Sequence, residues 1–319
     1  MRASLDRRGF LQMATTAGMA LAATETQAAS RKTGWKTAIG LNGFQSAGHQ
    51  YKQTFPIWEI LDFAAREGFD GVELVSDWPQ GGYPESTNTS RVRALRRLYD
   101  AYGLRIFSMQ LGADGAFAPD EATRRDWLKG FRDRVALAKQ LGCECLGIWP
   151  GGGLRGQTFD QALDRLATSF REAAGIAQDS GILTAFEIEP PFVFNTEDHV
   201  RRILSQTAHP NLKAIYDPSH YDLMNGSLGR PHEMLARIGV ENIGYLHLTD
   251  TDGTLRNGGT SKHLACGDGH AQIGESLRVL REGRFRGWIM IDAWEIPDPY
   301  DASRKGLNMV REARRRRRG

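Results

Sequence analysis

The chain has 319 residues, 40% of them hydrophobic and 25% charged, with a formal net charge of +3. This balance excludes a disordered chain and fits a large α/β domain that needs no covalent staples. The small net charge argues against nucleic acid as the main partner, and three cysteines, Cys143, Cys145 and Cys266, supply no disulfide framework and read as small buried thiols.

Residues 1–28 read as an address. Asp6-Arg7-Arg8-Gly9-Phe10-Leu11 is followed by a mild apolar run, Met13 to Ala23, too short and too interrupted for a stable membrane span. The stretch resembles a bacterial twin-arginine (Tat) signal with cleavage after Ala28. That resemblance implies folding in the cytoplasm, handover to the Tat export machinery, and a periplasmic or secreted mature chain, residues 29–319. The basic tail Arg314–Arg318 reads as a solvated, frayed end.

After the signal the chain alternates strands and helices. Thr37–Leu41 is the first strand, with Asn42-Gly43-Phe44 at its end facing a site mouth, and Phe55–Glu67 is a helix closed by Gly68. Gly71–Val75 is the second strand, and a loop with Trp78 and Tyr83 leads to a helix over Arg91–Tyr102, capped by Ser90. Leu104–Met109 is the third strand, ending at Gln110; Pro119–Leu141 is a long amphipathic helix; Cys145–Trp149 is the fourth strand. Helices over Phe159–Gln178, up to Gln206, and over Pro231–Ile238 separate the next strands, and Asp250–His270 reads as the longest loop. Helices over Ile273–Glu282 and Pro299–Arg314 flank the last strand, Trp288–Asp292. Eight strand–helix units without a linker predict a parallel sheet closed into a single (β/α)8 TIM barrel of typical length, ~250 residues. No Gly-x-Gly-x-x-Gly follows the first strand, so a dinucleotide fold has no support.

Four consecutive apolar runs end in metal-binding residue types: Ile-Leu-Thr-Ala-Phe-Glu187, Leu-Lys-Ala-Ile-Tyr-Asp217, Ile-Gly-Tyr-Leu-His247 and Trp-Ile-Met-Ile-Asp292. A charge closing an apolar strand is costly unless it is paired or metal-bound. In a barrel these positions share the C-terminal mouth, so three carboxylates and an imidazole converge. Oxygen ligands with one nitrogen favour a divalent ion, Mn²⁺, Mg²⁺ or Co²⁺ first, with Zn²⁺ or Fe²⁺ as further options. Alternation puts Glu189 on the same face as Glu187, the favoured ligand, and Glu295 competes with Asp292 for the last position. His220 lies one turn past Asp217 and can reach the same site. Asp250, three residues past His247, can orient an imidazole or bind substrate. His263 and His270 are either substrate contacts or exposed loop histidines. Trp78, Trp149, Phe44 and Trp294 either stack on a sugar ring or pack at the rim.

Glu187-Ile-Glu-Pro, Asp217-Pro-Ser-His220, His247-Leu-Thr-Asp250, Gly267-Asp-Gly269 and Gly287-Trp-Ile-Met-Ile-Asp292 together resemble the xylose-isomerase-like TIM-barrel superfamily, in its sugar phosphate isomerase/epimerase branch, which includes ketose 3-epimerases. The resemblance implies one divalent metal on Glu187, Asp217, His247 and Asp292, and substrate contact by His220. The family usually carries Glu where Asp292 stands. Ketose epimerases place an arginine shortly after the metal-binding His; Arg256, a candidate substrate contact, lies further along.

Such a site suits proton transfer beside a carbonyl. A divalent metal held there would supply Lewis-acid polarisation of C=O, favouring an enediolate, and Glu187 and Asp292 would remove and return the proton. The expected activity is a small-carbohydrate isomerase or epimerase, with a small-molecule sugar as partner; a homo-oligomer is compatible with the sequence. A lyase or hydratase on 3-keto-glycosides would use the same metal site. A non-catalytic sugar-binding barrel is the reading from another class, and retention of all four ligand types argues against it.

Overall fold

The computed structural model describes residues 34–75, 82–224, 229–257 and 259–315. The signal expected at 1–28, Trp78 and Arg316–Arg318 lie outside the described residues.

Eight parallel strands close a barrel: β1 (Trp35–Gly40), β2 (Gly71–Leu74), β3 (Arg105–Gly112), β4 (Cys145–Trp149), β5 (Leu183–Phe186), β6 (Leu212–Tyr216), β7 (Ile243–Leu248) and a last strand, Gly287–Ile291. The last strand pairs with β1, Trp35 opposite Gly287 and Ile39 opposite Ile291, and with β7, His247 opposite Met290. A two-stranded antiparallel hairpin, β8 (Asp250–Leu255) and β9 (Ser261–Leu264), is inserted before it, so the closing strand is β10. The helices are α1 (Leu41–Tyr51), α2 (Ile57–Glu67), α3 (Thr89–Asp100), α4 (Glu121–Leu141), α5 (Phe159–Gln178), α6 (Glu197–Thr207), α7 (Pro218–Asp222), α8 (Pro231–Ile238), α9 (Ile273–Glu282) and α10 (Pro299–Arg315).

The helices stop where their chemistry requires. Gly68 and Gly142 close α2 and α4 in the left-handed conformation, at φ 78° and 83°. Thr158 and Gln161 form a reciprocal capping box at the start of α5. The cap of α3 is Asn88, whose Oδ1 accepts the Arg91 N–H, and Ser90, expected as the cap, lies inside the helix.

Two expectations are corrected. Asn42-Gly43-Phe44, expected to face the site mouth, is the first turn of α1, because Leu41, Phe44 and Ala47 bury one face of that helix; Asn42 does line the mouth. Phe44 therefore packs edge-on against Phe55 and Tyr300 in the core and is not at the mouth. The Asp250–His270 loop folds largely as the β8–β9 hairpin, with Asp250 opposite Leu264, Thr251 opposite His263 and Leu255 opposite Ser261. Its strands are mostly polar, so no apolar alternation marks them.

The barrel interior is filled by side chains from the strands alone, among them Ala38, Phe107, Ala185, Ile215, Tyr245, Trp288 and Met290. Phe107 stacks on Trp288 at 4.6 Å. Gly147 has to be glycine, because a Cβ there would meet the Tyr245 hydroxyl at 2.2 Å. That hydroxyl carries hydrogen bonds from the packed interior up to the site. All three cysteines are free and buried.

Candidate active site

The ends of β5, β6, β7 and β10 bring the four sequence-derived acids and imidazole together. Glu187 follows β5, Asp217 follows β6, His247 lies inside β7 and Asp292 follows β10; all four are buried. Glu187 Oε1 meets His247 Nδ1 at 2.7 Å, and Asp292 Oδ2 lies 4.0 Å from the same nitrogen. Glu187, Asp217 and His247 each offer a ligand atom within 4.8 Å of the others, and so do Asp217, His220 and His263. Asp217 belongs to both groups.

Each side chain is fixed by partners outside this set. Asp217 Oδ1 accepts the Ser219 N–H and hydroxyl, both at 2.7 Å, in the turn that starts α7. His220 Nδ1 is fixed at 2.8 Å from Ser261 Oγ on β9, which leaves Nε2 3.7 Å from Asp217 and 3.8 Å from Glu187. Asn42 Nδ2 donates to both oxygens of Asp292, at 3.1 and 3.2 Å. Gln110 Nε2 donates to Glu187 Oε2 at 2.6 Å.

Glu73, to which the sequence reading gave no role, holds His247 from behind. Its Oε2 lies 2.8 Å from His247 Nε2, while its Oε1 accepts the Tyr245 hydroxyl at 2.8 Å. A carboxylate on Nε2 keeps the N–H there and turns Nδ1 toward the site. A charge inside Gly-Val-Glu73-Leu-Val is the same signal that pointed to Glu187.

Burial sets the protonation balance. It pushes the Asp217 carboxyl up to about 7, with the negative charges of Glu187 and Asp292 adding to the rise against His263. Burial also acts to raise Glu187, but the His247 charge and hydrogen bond outweigh it and hold that carboxyl down at about 2. For His247, burial opposes the proton, yet Glu187 and Glu73 on its two nitrogens raise its pKa well above the ordinary imidazole value. Burial lowers His263 and raises Glu189.

The cluster opens into a cavity of about 570 Å³, also lined by Gln110, Trp149, Glu189, Phe192, Arg256 and Trp294. Trp149 stands edge-on to Phe192 at 4.9 Å and forms part of the wall. Arg256 reaches the cavity from the end of β8 despite its sequence distance from His247. Asp250 does not line it: its carboxylate accepts the backbone N–H groups of Thr251, Gly267 and Ala271 and so ties the hairpin to the following loop. Glu295 is ion-paired to Arg256 at 2.8 Å, so Asp292 is the β10 acid in the buried cluster. His263 is buried and lines the cavity, whereas His270 is largely exposed and bonded to Asp222 at 2.7 Å.

The donor set suits a divalent cation. Asp217 Oδ2 and both nitrogens of His263 are buried without a hydrogen-bond partner, a state that native proteins rarely leave without a ligand or water. Carboxylate oxygens with imidazole nitrogen are the ligand types such ions take.

Fold and site together define a (β/α)8 barrel with a buried acid–imidazole cluster at its C-terminal mouth. The description "Xylose isomerase-like TIM barrel" matches residues 61–313, and the chain belongs to that family. An inosose dehydratase of Clostridium botulinum is 21% identical over 80% of this chain and 88% of its own. The IOLI protein, whose crystal structure contains a bound zinc atom, superposes with TM-score 0.69 at 16% identity, covering 87% of this chain and 96% of that one. The 3-keto-D-glucoside 4-epimerase YcjR from E. coli superposes with TM-score 0.65 at 17% identity, covering 88% and 99%. At these identities the two structures speak to the fold alone.

Proposed function

We propose that the protein is a divalent-metal-dependent enzyme that moves a proton beside the carbonyl of a small carbohydrate, as an isomerase or epimerase. The observation that carries this reading is the convergence of Glu187, Asp217 and His247 around an Asp217 oxygen that no protein group satisfies. Glu187, Asp217, His247 and Asp292 would hold the ion, of which Mn²⁺, Mg²⁺ and Co²⁺ suit the oxygen-rich set and Zn²⁺ or Fe²⁺ remain compatible. When bound, a divalent ion supplies Lewis-acid polarisation of the carbonyl.

The chain's own residues do the rest. Glu187 and Asp292, which follow separate strands and both point at His247 Nδ1, would be the pair that takes the proton and returns it. Gln110 and Asn42 fix the direction of each carboxylate. His220 Nε2 and Glu189 face substrate oxygens, Trp149 and Trp294 wall the sugar ring, and Arg256 closes the outer side. The twin-arginine pattern supports export, with the reaction outside the cytoplasm.

Solvent exchange tests this. Metal-loaded protein incubated with ketoses and 3-keto-glycosides in D2O should place deuterium on the carbon next to the carbonyl, read by NMR. Glu187→Gln and Asp292→Asn should each slow exchange by about 10²–10⁴-fold. No exchange on any of these sugars by fully loaded protein would overturn the proposal. A β-eliminating lyase shares the first proton removal, and one feature favours it. His263, which lines the cavity with both ring nitrogens unpartnered, would be the group to protonate a departing oxygen. A released leaving group rather than an epimer identifies that outcome.

A further inference from the structure

A second cavity, of about 710 Å³, adjoins the first and shares Arg256, His263 and Glu295 with it. The first cavity already has the size of an ordinary ligand pocket (~300–1,000 Å³), so a single sugar ring needs no second chamber. Leu255, Ile296 and Pro297 give the second chamber apolar surface, and Leu255 is one of only two large hydrophobic side chains exposed among the described residues. Asp268, Asp298 and Asp301 add acceptors. The two cations that line the chamber are both paired, Lys262 with Asp252 and Arg256 with Glu295, and Lys305 beside it meets Asp268 and Asp301 at 2.7 and 3.5 Å.

The junction between the chambers is built with care. Glu295 holds a left-handed backbone, φ 53°, that a non-glycine residue rarely adopts. Ser46 Oγ accepts its N–H, and its carbonyl accepts from the Tyr51 hydroxyl and from Arg256 Nη1, all at 2.8 Å. Its carboxylate pairs with Arg256 Nε at 2.8 Å, and both side chains stay about a quarter exposed, 26% and 22%. His263, which lines both chambers, is 3% exposed and has two unpartnered nitrogens.

We infer that the second cavity is a binding subsite for a ring joined to the reacting sugar, so that the substrate is a two-ring glycoside with an uncharged, hydroxylated second ring. The inference rests on the carbohydrate reading of the first cavity. Apolar surface receives the C–H face of the ring, the rim carboxylates accept its hydroxyls, and the lining cations Lys262 and Arg256, each already held by an acid, leave no unpaired cation among the described lining residues for a phosphate or carboxylate substituent. Arg256, Glu295 and His263 lie along the linkage between the rings.

The test uses metal-loaded full-length mature protein and calorimetric binding of matched probes: methyl 3-keto-β-glucoside against 3-keto-cellobiose and phenyl 3-keto-β-glucoside. Two-ring probes should bind at least tenfold tighter than the one-ring probe. Leu255→Asp, on the hairpin surface, and Ala265→Phe, which fills the chamber, should each erase most of that ratio. Two variants at separate places guard against a folding defect in either. Equal affinities, or an advantage that survives both variants, would overturn the subsite while leaving the proton-transfer reading intact. Failure of every probe to bind would overturn the subsite as well, and deuterium exchange on ketoses then decides the proton-transfer reading separately.

Discussion

The two ends of the barrel treat charge in opposite ways. At the N-terminal end Glu144 is met from three sides: Lys36 at 2.6 Å, Arg105 at 2.8 Å and the Trp288 indole N–H at 3.1 Å. Burial acts to raise its carboxyl, but these partners hold it below its ordinary value. At the C-terminal mouth four acids and three imidazoles share a space with no Lys or Arg paired to the central carboxylates in the described residues, and burial pushes the Asp217 carboxyl up to about 7. A group satisfied within the protein stabilises the fold, whereas one left short of partners waits for something else. In barrel enzymes the chemistry belongs to the second kind of end.

The comparison can be broken most severely at Asp217. Asp217→Ala should reduce bound metal to background and remove activity with it, measured by elemental analysis and turnover on the same preparation. Glu73→Gln should act more mildly, weakening metal affinity by about 10–100-fold, because His247 keeps its place but loses the partner that aims Nδ1 into the site. Metal titration by calorimetry reads this.

The pH dependence sharpens the contrast. Asp217 is raised in the fold to about 7 from an ordinary 3.8. Its contribution to stability is therefore present in full below about 4 and is lost as pH rises through about 7. Metal-free protein should lose stability over that window, and Asp217→Asn should flatten the loss. Added metal competes with the Asp217 and His247 protons, so its increase in melting temperature should grow from pH 5 to pH 8. The smallest effect belongs to the other end: Glu144→Gln should cost about 1 kcal/mol, since that cluster is partly exposed, and leave metal binding unchanged.

The buried cluster was legible because a charge ending an apolar run has few explanations, and Glu187, Asp217, His247 and Asp292 all carry that mark. The supporting groups were less so. Glu73 carried the same mark inside β2, but its partner His247 is 174 residues away, and no local pattern names it. Asn42 was placed at the mouth, while α1 was hidden by Gly43 and Gly48 within a short helix. The β8–β9 hairpin was illegible because its strands are mostly polar and show no apolar alternation, and they pack against the short helix α7. The positions of Arg256 and His263 depend on that fold-back alone. Asp250 reads like a second-rank site acid, yet three backbone N–H donors consume it.

The central claim is that the mouth cluster is a metal site, and elemental analysis of mature protein purified without chelator tests it most directly. About one divalent ion per chain, absent from Asp217→Ala and restored on titration only in the wild type, is the predicted result. Wild-type protein that holds no ion and takes up none from Mn²⁺, Mg²⁺, Co²⁺, Zn²⁺ or Fe²⁺ would contradict it.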